Sequence, residues 1–241
     1  MRLSTALIPL TLAAALASPA FAAGTMQISG HGEVMASPDT AYVTSGVTSQ
    51  ASTAKDALDA NTKDMAALID VLKQAGVAAA DIQTSGFAVN PNYIYSDQRD
   101  ANGYQLPPKI SGYTVTNSVT VHVRELAILG DMLDKEVSVG ANTINGINFA
   151  VEDPSKLYDE ARKAAFADAK GKADLYADAA GVSLGSIQTI SENQGYTQPP
   201  QPYAYKATAA ASDRSAPVPV EAGQLTFSID VNVTWELGAA K

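Results

Sequence analysis

The 241-residue chain contains no cysteine. Disulfide staples, zinc–thiolate centres, iron–sulfur clusters and thiol redox catalysis are thereby excluded, and ordinary burial must hold the fold. Histidine is nearly as scarce: there are two, His31 and His122. Neither has a second histidine at ligand spacing, and only His31 has a carboxylate beside it, Glu33. A metal centre needs several convergent donors, so neither a metal nor a cofactor is expected. The patterns G-x-S-x-G, H-E-x-x-H and the phosphate loop do not occur. Gly30-His31-Gly32 is not a phosphate loop, because it lies within a strand pattern and lacks the lysine and the following helix. Basic residues are in deficit, with 16 Lys and Arg against 25 Asp and Glu. Such a surface repels nucleic-acid phosphates and anionic membranes. A cationic partner remains compatible with it. Apolar runs long enough to cross a bilayer, roughly 20 residues, are also missing.

The one marked apolar run is Leu3 to Ala17, preceded by Arg2 and followed by Ala20-Phe21-Ala22. This is the n-region, h-region and small-residue cleavage site of a secretory signal peptide. Residues 1–22 are expected to be removed, with export to a bacterial periplasm. Residues 23–241 then form the mature chain, expected as a single domain, and loss of Arg2 takes the formal charge from −9 to −10.

Along the mature chain, apolar alternation predicts strands over Thr25–Ala36, over Ala41–Val47, over Ile82–Tyr95, over Tyr113–Val123, over Ile144–Val151 and over Leu225–Leu237. Two glycines, Gly30 and Gly32, fall on one face of the first strand, which is unfavourable unless something approaches closely. A helix is predicted from Ser52 or Thr53 to Ala75, with Leu58, Met65, Leu68, Ile69 and Leu72 inward and Gly76 as its stop. A shorter helix over Glu125–Val139 aligns Leu126, Leu129, Leu133 and Val137.

The stretch from Val137 to Glu192 organises the rest, reading as strand, long helix and strand. Its helix opens at Asp153-Pro154, an N-cap and a first-turn proline, and closes at Gly181. Tyr158, Ala161, Ala165, Ala169, Ala173, Tyr176 and Ala180 make its apolar stripe. Asp159 with Lys163 and Asp168 with Lys172 are i,i+4 pairs on its exposed side. An echo joins distant parts: Ala75-Gly76-Val77 with Ile82-Gln83-Thr84 recurs as Ala180-Gly181-Val182 with Ile187-Gln188-Thr189. Two related strand-helix-strand-strand halves, residues 39–123 and 142–237, are inferred. The fold class is α+β, a largely antiparallel sheet with helices packed on one face.

Four segments carry a family resemblance: ISGHGEVMASPDTAYVTSGV (Ile28–Val47), SGYTVTNSVTVHVRELAILGDMLD (Ser111–Asp134), GANTINGINF, and EDPSKLYDEARKAAFADAKGKADLYADAAGVSLGSI. They resemble the bacterial SIMPL-domain proteins, over nearly the whole mature chain and in the family's order. That family includes a periplasmic oxidative-stress defence protein and periplasmic immunogenic antigens. The resemblance implies periplasmic residence and a role in resisting oxidative stress. Without cysteine, such a role cannot use thiol chemistry. Met26, Met35, Met65 and Met132 are the oxidisable sulfurs after residue 22, too few for a scavenger.

Segments Asn90–Ile110 and Gln194–Val220 hold six of the ten tyrosines and eight of the twelve prolines. Long loops in small domains are usually functional or unstructured, and tyrosine offers broad contact area at low entropy cost. Tyr93, Tyr95, Tyr104, Tyr203 and Tyr205 are the candidate binding or assembly residues. The expected function is that of a non-catalytic, self-associating envelope protein, with homo-oligomers as the partner state. An alternative is a binding module whose acidic, aromatic-lined cleft takes a small cation such as a polyamine. A third is a hydrolase using His31 with Glu33.

Overall fold

Period-two alternation assigns each strand a buried and an open face, and pairing then gathers the strands into two sheets. The computed structural model describes residues 24–194 and 218–240. In chain order these form β1 (Thr25–Ala36), β2 (Thr40–Ala51), α1 (Ala54–Gln74), β3 (Ile82–Ile94), β4 (Lys109–Val123), α2 (Leu129–Ser138), β5 (Thr143–Ala150), α3 (Ser155–Ala180), β6 (Val182–Gln194) and β7 (Leu225–Ala240). Four strands lie in the order β3-β4-β2-β5, and three in the order β1-β7-β6. Every pairing within these sheets is antiparallel. The class is α+β, with helices on one face of each sheet.

On the four-stranded sheet, Val43, Val47, Val119, Val121 and Val123 form a core with Met65, Leu68 and Leu72 of α1 and Leu129, Met132 and Leu133 of α2. α1 begins where the Thr53 hydroxyl accepts the Asp56 N–H at 3.1 Å. It ends before Gly76, whose φ of 99° favours glycine. The predicted helix over Glu125–Val139 is divided: Leu126–Ile128 is a 3-10 turn and only the rest is α. Its buried face is Leu129, Met132, Leu133 and Glu136, while Val137 is 57% exposed. Residue 137 lies about 100° further round the helix than residue 136, so the carboxylate, not the valine, faces the sheet.

On the three-stranded sheet, Phe227, Ile229, Val231, Val233 and Trp235 of β7 alternate inward as expected and are buried. α3 lies across β1 and β7, and its buried residues are alanines at every fourth position: Ala161, Ala165, Ala169, Ala173 and Ala177. Tyr176 and Ala180 are exposed instead of belonging to the stripe. The helix begins at Ser155, one residue beyond Pro154, and the Asp153 carboxylate accepts the Ser155 N–H at 3.1 Å. Gly181 ends it at φ 68°. Asp168 and Lys172 pair at 2.6 Å as expected, whereas Asp159 pairs with Arg162 at 2.9 Å instead of with Lys163.

The alanine stripe finds its seat on Gly30 and Gly32. A Cβ at residue 30 would stand 2.1 Å from the Ala165 carbonyl oxygen and 2.6 Å from the Ala169 nitrogen. At residue 32 it would stand 2.2 Å from the Ala161 oxygen. These are backbone atoms, which cannot swing aside. The two glycines therefore let the helix rest on the strand backbone.

Residues 142–237 do not make a sheet of their own. β5 pairs with β2, and β1 occupies the place beside β7. Residues 37–39, the connection from β1 to β2, are bonded to the end of β5 and to the connection that follows it: Asp39 N–H donates to Ala150 O at 3.1 Å, and the Asp39 carboxylate accepts the Glu152 N–H at 2.8 Å.

Two glycine substitutions separate close approach from mere flexibility. Gly30→Ala is expected to cost about 1–3 kcal/mol or more through overpacking. Gly171→Ala, in mid-α3 with nothing within 4 Å of the added carbon, is expected to stabilise by roughly 0.5–1 kcal/mol. Urea unfolding of the two variants against the parent checks both signs.

Candidate interaction surface

β3 and β4 continue past their sheet into a hairpin whose tip spans residues 95–108. Asp100 and Gly103 make the turn expected there. The Asp100 carboxylate accepts the N–H groups of Asn102 and Tyr104, each at 2.9 Å, and Gly103 adopts φ 84°. Leu106 N–H to Gln98 O at 3.0 Å and the Gln105 side-chain amide to Ser96 O at 3.1 Å brace the two sides. The Arg99 guanidinium donates to Gly103 O at 2.6 Å.

This braced hairpin carries three of the five candidate tyrosines, and all three meet solvent: Tyr93 is 49%, Tyr95 75% and Tyr104 73% exposed. Ile94 and Ile110 flank them and are at least half exposed. Tyr203 and Tyr205 lie outside the described residues. A group of large amphipathic side chains on an ordered support loses little entropy on contact, which suits an interface.

The histidines are engaged in structural networks that their local sequence does not reveal. His31 Nδ1 meets Asp230 on β7 at 2.8 Å, and Nε2 lies 3.9 Å from Glu33. The Asp230 hydrogen bond holds the imidazole above its ordinary pKa. The nearby Ser29 hydroxyl donates to Asn232 at 2.5 Å, so it is not activated by this pair. His122 Nε2 stands 2.5 Å from the Thr40 hydroxyl and 3.0 Å from Glu152, and its ring stacks on Tyr42 at 4.4 Å. Thr40 donates to Val123 O at 2.9 Å and is buried. Arg124 forks onto Asp81 at 2.9 and 3.0 Å and reaches Glu152. It holds the Asp81 carboxyl below the usual carboxylate range. Among the described residues, no group of three or more His, Asp or Glu is placed to hold a metal ion.

One edge of the three-stranded sheet is guarded by α3. The His31 N–H, facing away from β7, donates to the Asp168 carboxylate at 2.9 Å, and Lys172 donates to Ser29 O at 3.3 Å. The Lys172 and His31 bonds hold the Asp168 carboxyl low. A helix that fills the free hydrogen-bonding groups of an edge strand prevents another strand from adding there.

Glu136 was not foreseen as a core residue, although its place seven residues after Leu129 is a helical core spacing. It is fully buried, with the Ser45 hydroxyl donating to Oε2 at 2.5 Å and Oε1 without a partner. Burial pushes its carboxyl above the ordinary value, opposed by the Ser45 bond. The folded chain therefore retains a proton that the unfolded chain releases, and stability falls as pH rises from the unfolded towards the folded value. Glu136→Gln is expected to raise the melting temperature by roughly 2–4 °C at about pH 8 and to bring little at about pH 4. Thermal scans at the two pH values test the sign.

Comparison with known proteins matches this chain along most of its length. The family model described as SIMPL, a protein of unknown function (DUF541), covers residues 26–235. The 26 kDa periplasmic immunogenic protein of Brucella melitensis is 41% identical over 216 residues, 87% of this chain and 83% of its own. Proteins named YggE are more distant. That of Edwardsiella ictaluri is 29% identical over 210 residues, 87% and 85% of the two chains, and that of Escherichia coli K12 is 28% identical over 209 residues, 87% and 81%. No helix among the described residues is long and apolar enough to cross a membrane. By the family model and the Brucella relative alike, the chain belongs to the SIMPL family.

Proposed function

We propose that this chain is a non-catalytic envelope protein of the periplasm that acts by assembling with copies of itself through the β3–β4 hairpin, residues 1–22 serving as its export signal. The observation that carries this reading is the braced hairpin with Tyr93, Tyr95 and Tyr104 exposed beside Ile94 and Ile110. Periplasmic residence is taken from the printed name of the Brucella relative together with the signal-like residues 1–22. The engagement of both histidines in strand-to-strand and linker contacts favours a structural role over catalysis.

In oxidative-stress defence, such a protein acts as a scaffold and not as a sulfur scavenger. It has no thiol. Met65 and Met132 are buried, and Met35, on β1, is 59% exposed. Under peroxide, Met35 should become sulfoxide well before Met65 and Met132, read by peptide mass spectrometry.

Sedimentation of residues 23–241 is expected to show an oligomer at micromolar concentration. The double variant Tyr95→Ser/Tyr104→Ser should weaken assembly by roughly tenfold or more, since aromatic anchors dominate interface energies. A parent protein that sediments as a monomer removes the reading.

A further inference from the structure

The two sheets present four edge strands, and the molecule treats them unequally. β1 is guarded by Asp168 and Lys172 of α3. β5, the shortest strand, is interrupted by a bulge in which Asn145 and Gly146 oppose Thr44 alone, with Gly146 at φ 67°. Both are recognised ways of stopping a strand from adding at an edge. β3 and β6 also carry irregularities, β3 at Thr84/Gly86 and Asn92/Tyr93 and β6 between Val182 and Thr189, but each keeps one regular run. Each is 13 residues long. Outside these irregularities each runs in unbroken register with its inner neighbour, over Gly86–Asn92 in β3 and over Thr189–Gln194 in β6.

These two edges also expose apolar side chains on matching faces. Phe87 and Val89 lie opposite Asn117 and Val115, and Ile187 and Ile190 lie opposite Trp235 and Val233. Val119 packs with α1 and Val115 is buried on the same face of β4, while Trp235 and Val233 face α3. The four exposed residues therefore project from the helix-bearing face of each sheet, beside a helix that stops short of covering them.

We infer that β3 of one copy pairs with β6 of the next, head to tail, so that the four-stranded sheet of one chain continues into the three-stranded sheet of its neighbour. This rests on the self-association proposed above and adds a strand-to-strand contact to that of the hairpin. Such pairing brings Phe87 and Val89 beside Ile187 and Ile190 on one face, and each shields the other from water. Like-to-like pairing is disfavoured. β3 contains Pro91, which has no N–H, and a β3–β3 pair would carry that loss twice. β6 contains one charge, Glu192, and a β6–β6 pair would set two of them near each other, whereas β3 has none. A head-to-tail contact either closes into a ring or runs on as a filament.

The absence of native cysteine makes the test direct. Val89→Cys and Ile190→Cys are made in separate chains, one lengthened by a tag, and joined with a short bis-maleimide. Linked pairs containing one chain of each kind are expected in the equimolar mixture, with each variant alone staying largely unlinked. Both positions are exposed, so the fold is spared. In a second variant, Ile190→Lys should reduce the sedimenting assembly to monomer with an unchanged circular dichroism spectrum. An oligomer that gives only like-chain links, or none, overturns the pairing and leaves self-association standing. A parent protein that sediments as a monomer overturns both.

Discussion

The three-stranded sheet depends on how closely a helix can approach a strand. α3 offers mainly alanine to its sheet, with Tyr158 and Phe166 packed at the margin of the stripe, and alanine buries little area per residue. Such a face holds only if the backbones come near enough for dispersion to act over the whole contact. Gly30 and Gly32 permit this, by leaving vacant the places where side chains would meet the carbonyls of Ala165 and Ala161. Everything that hangs on α3 follows from that seat. Asp168 and Lys172 can reach the outer side of β1 because the helix lies so low over it. Leucine and methionine would have lifted it away.

The four-stranded sheet is built on the opposite principle. Its helices bring large side chains, Leu68, Leu72, Leu129 and Met132, onto a valine floor. Bulk provides the stability there, and polar groups can be absorbed: Asn61 donates to Val47 O at 2.8 Å, and Glu136 takes the Ser45 hydroxyl. The two cores are separate clusters. They are joined by short connections that Asp39 fastens together, next to the cluster of His122, Arg124, Asp81 and Glu152. The polar investment of the molecule is thus concentrated where its two halves are tied.

Local features were legible in the residues themselves. Thr53, Gly76 and Gly181 marked helix ends, and the alternation of Phe227 to Trp235 marked a strand and its buried face. Gly30 and Gly32 signalled a close approach without saying to what. The hairpin turn at Asp100–Gly103 and the exposure of its tyrosines also matched their composition. Three things could not be read. Partners far apart in sequence leave no local trace, so the pairing of β1 with β7, and with it the His31–Asp230 contact, was invisible. The placement of β5 beside β2 likewise has no local signal. Finally, apolar identity alone puts Val137 and Tyr176 on the helix stripes, whereas the faces are set by angle and are occupied by Glu136 and Ala177.

The union of β1 with β7 has a consequence for the order in which the chain can acquire its shape. More than 190 residues separate Gly30 from its neighbour Val231. The four-stranded sheet needs no strand beyond Ala150 and can pair before the later strands have found their places. The first strand must meanwhile wait, unpaired, for the last. Contacts of such long range are slow to form, and during that interval α3 has no floor and the two glycines have nothing to receive. The chain is thus held open by its own topology until its final strand arrives.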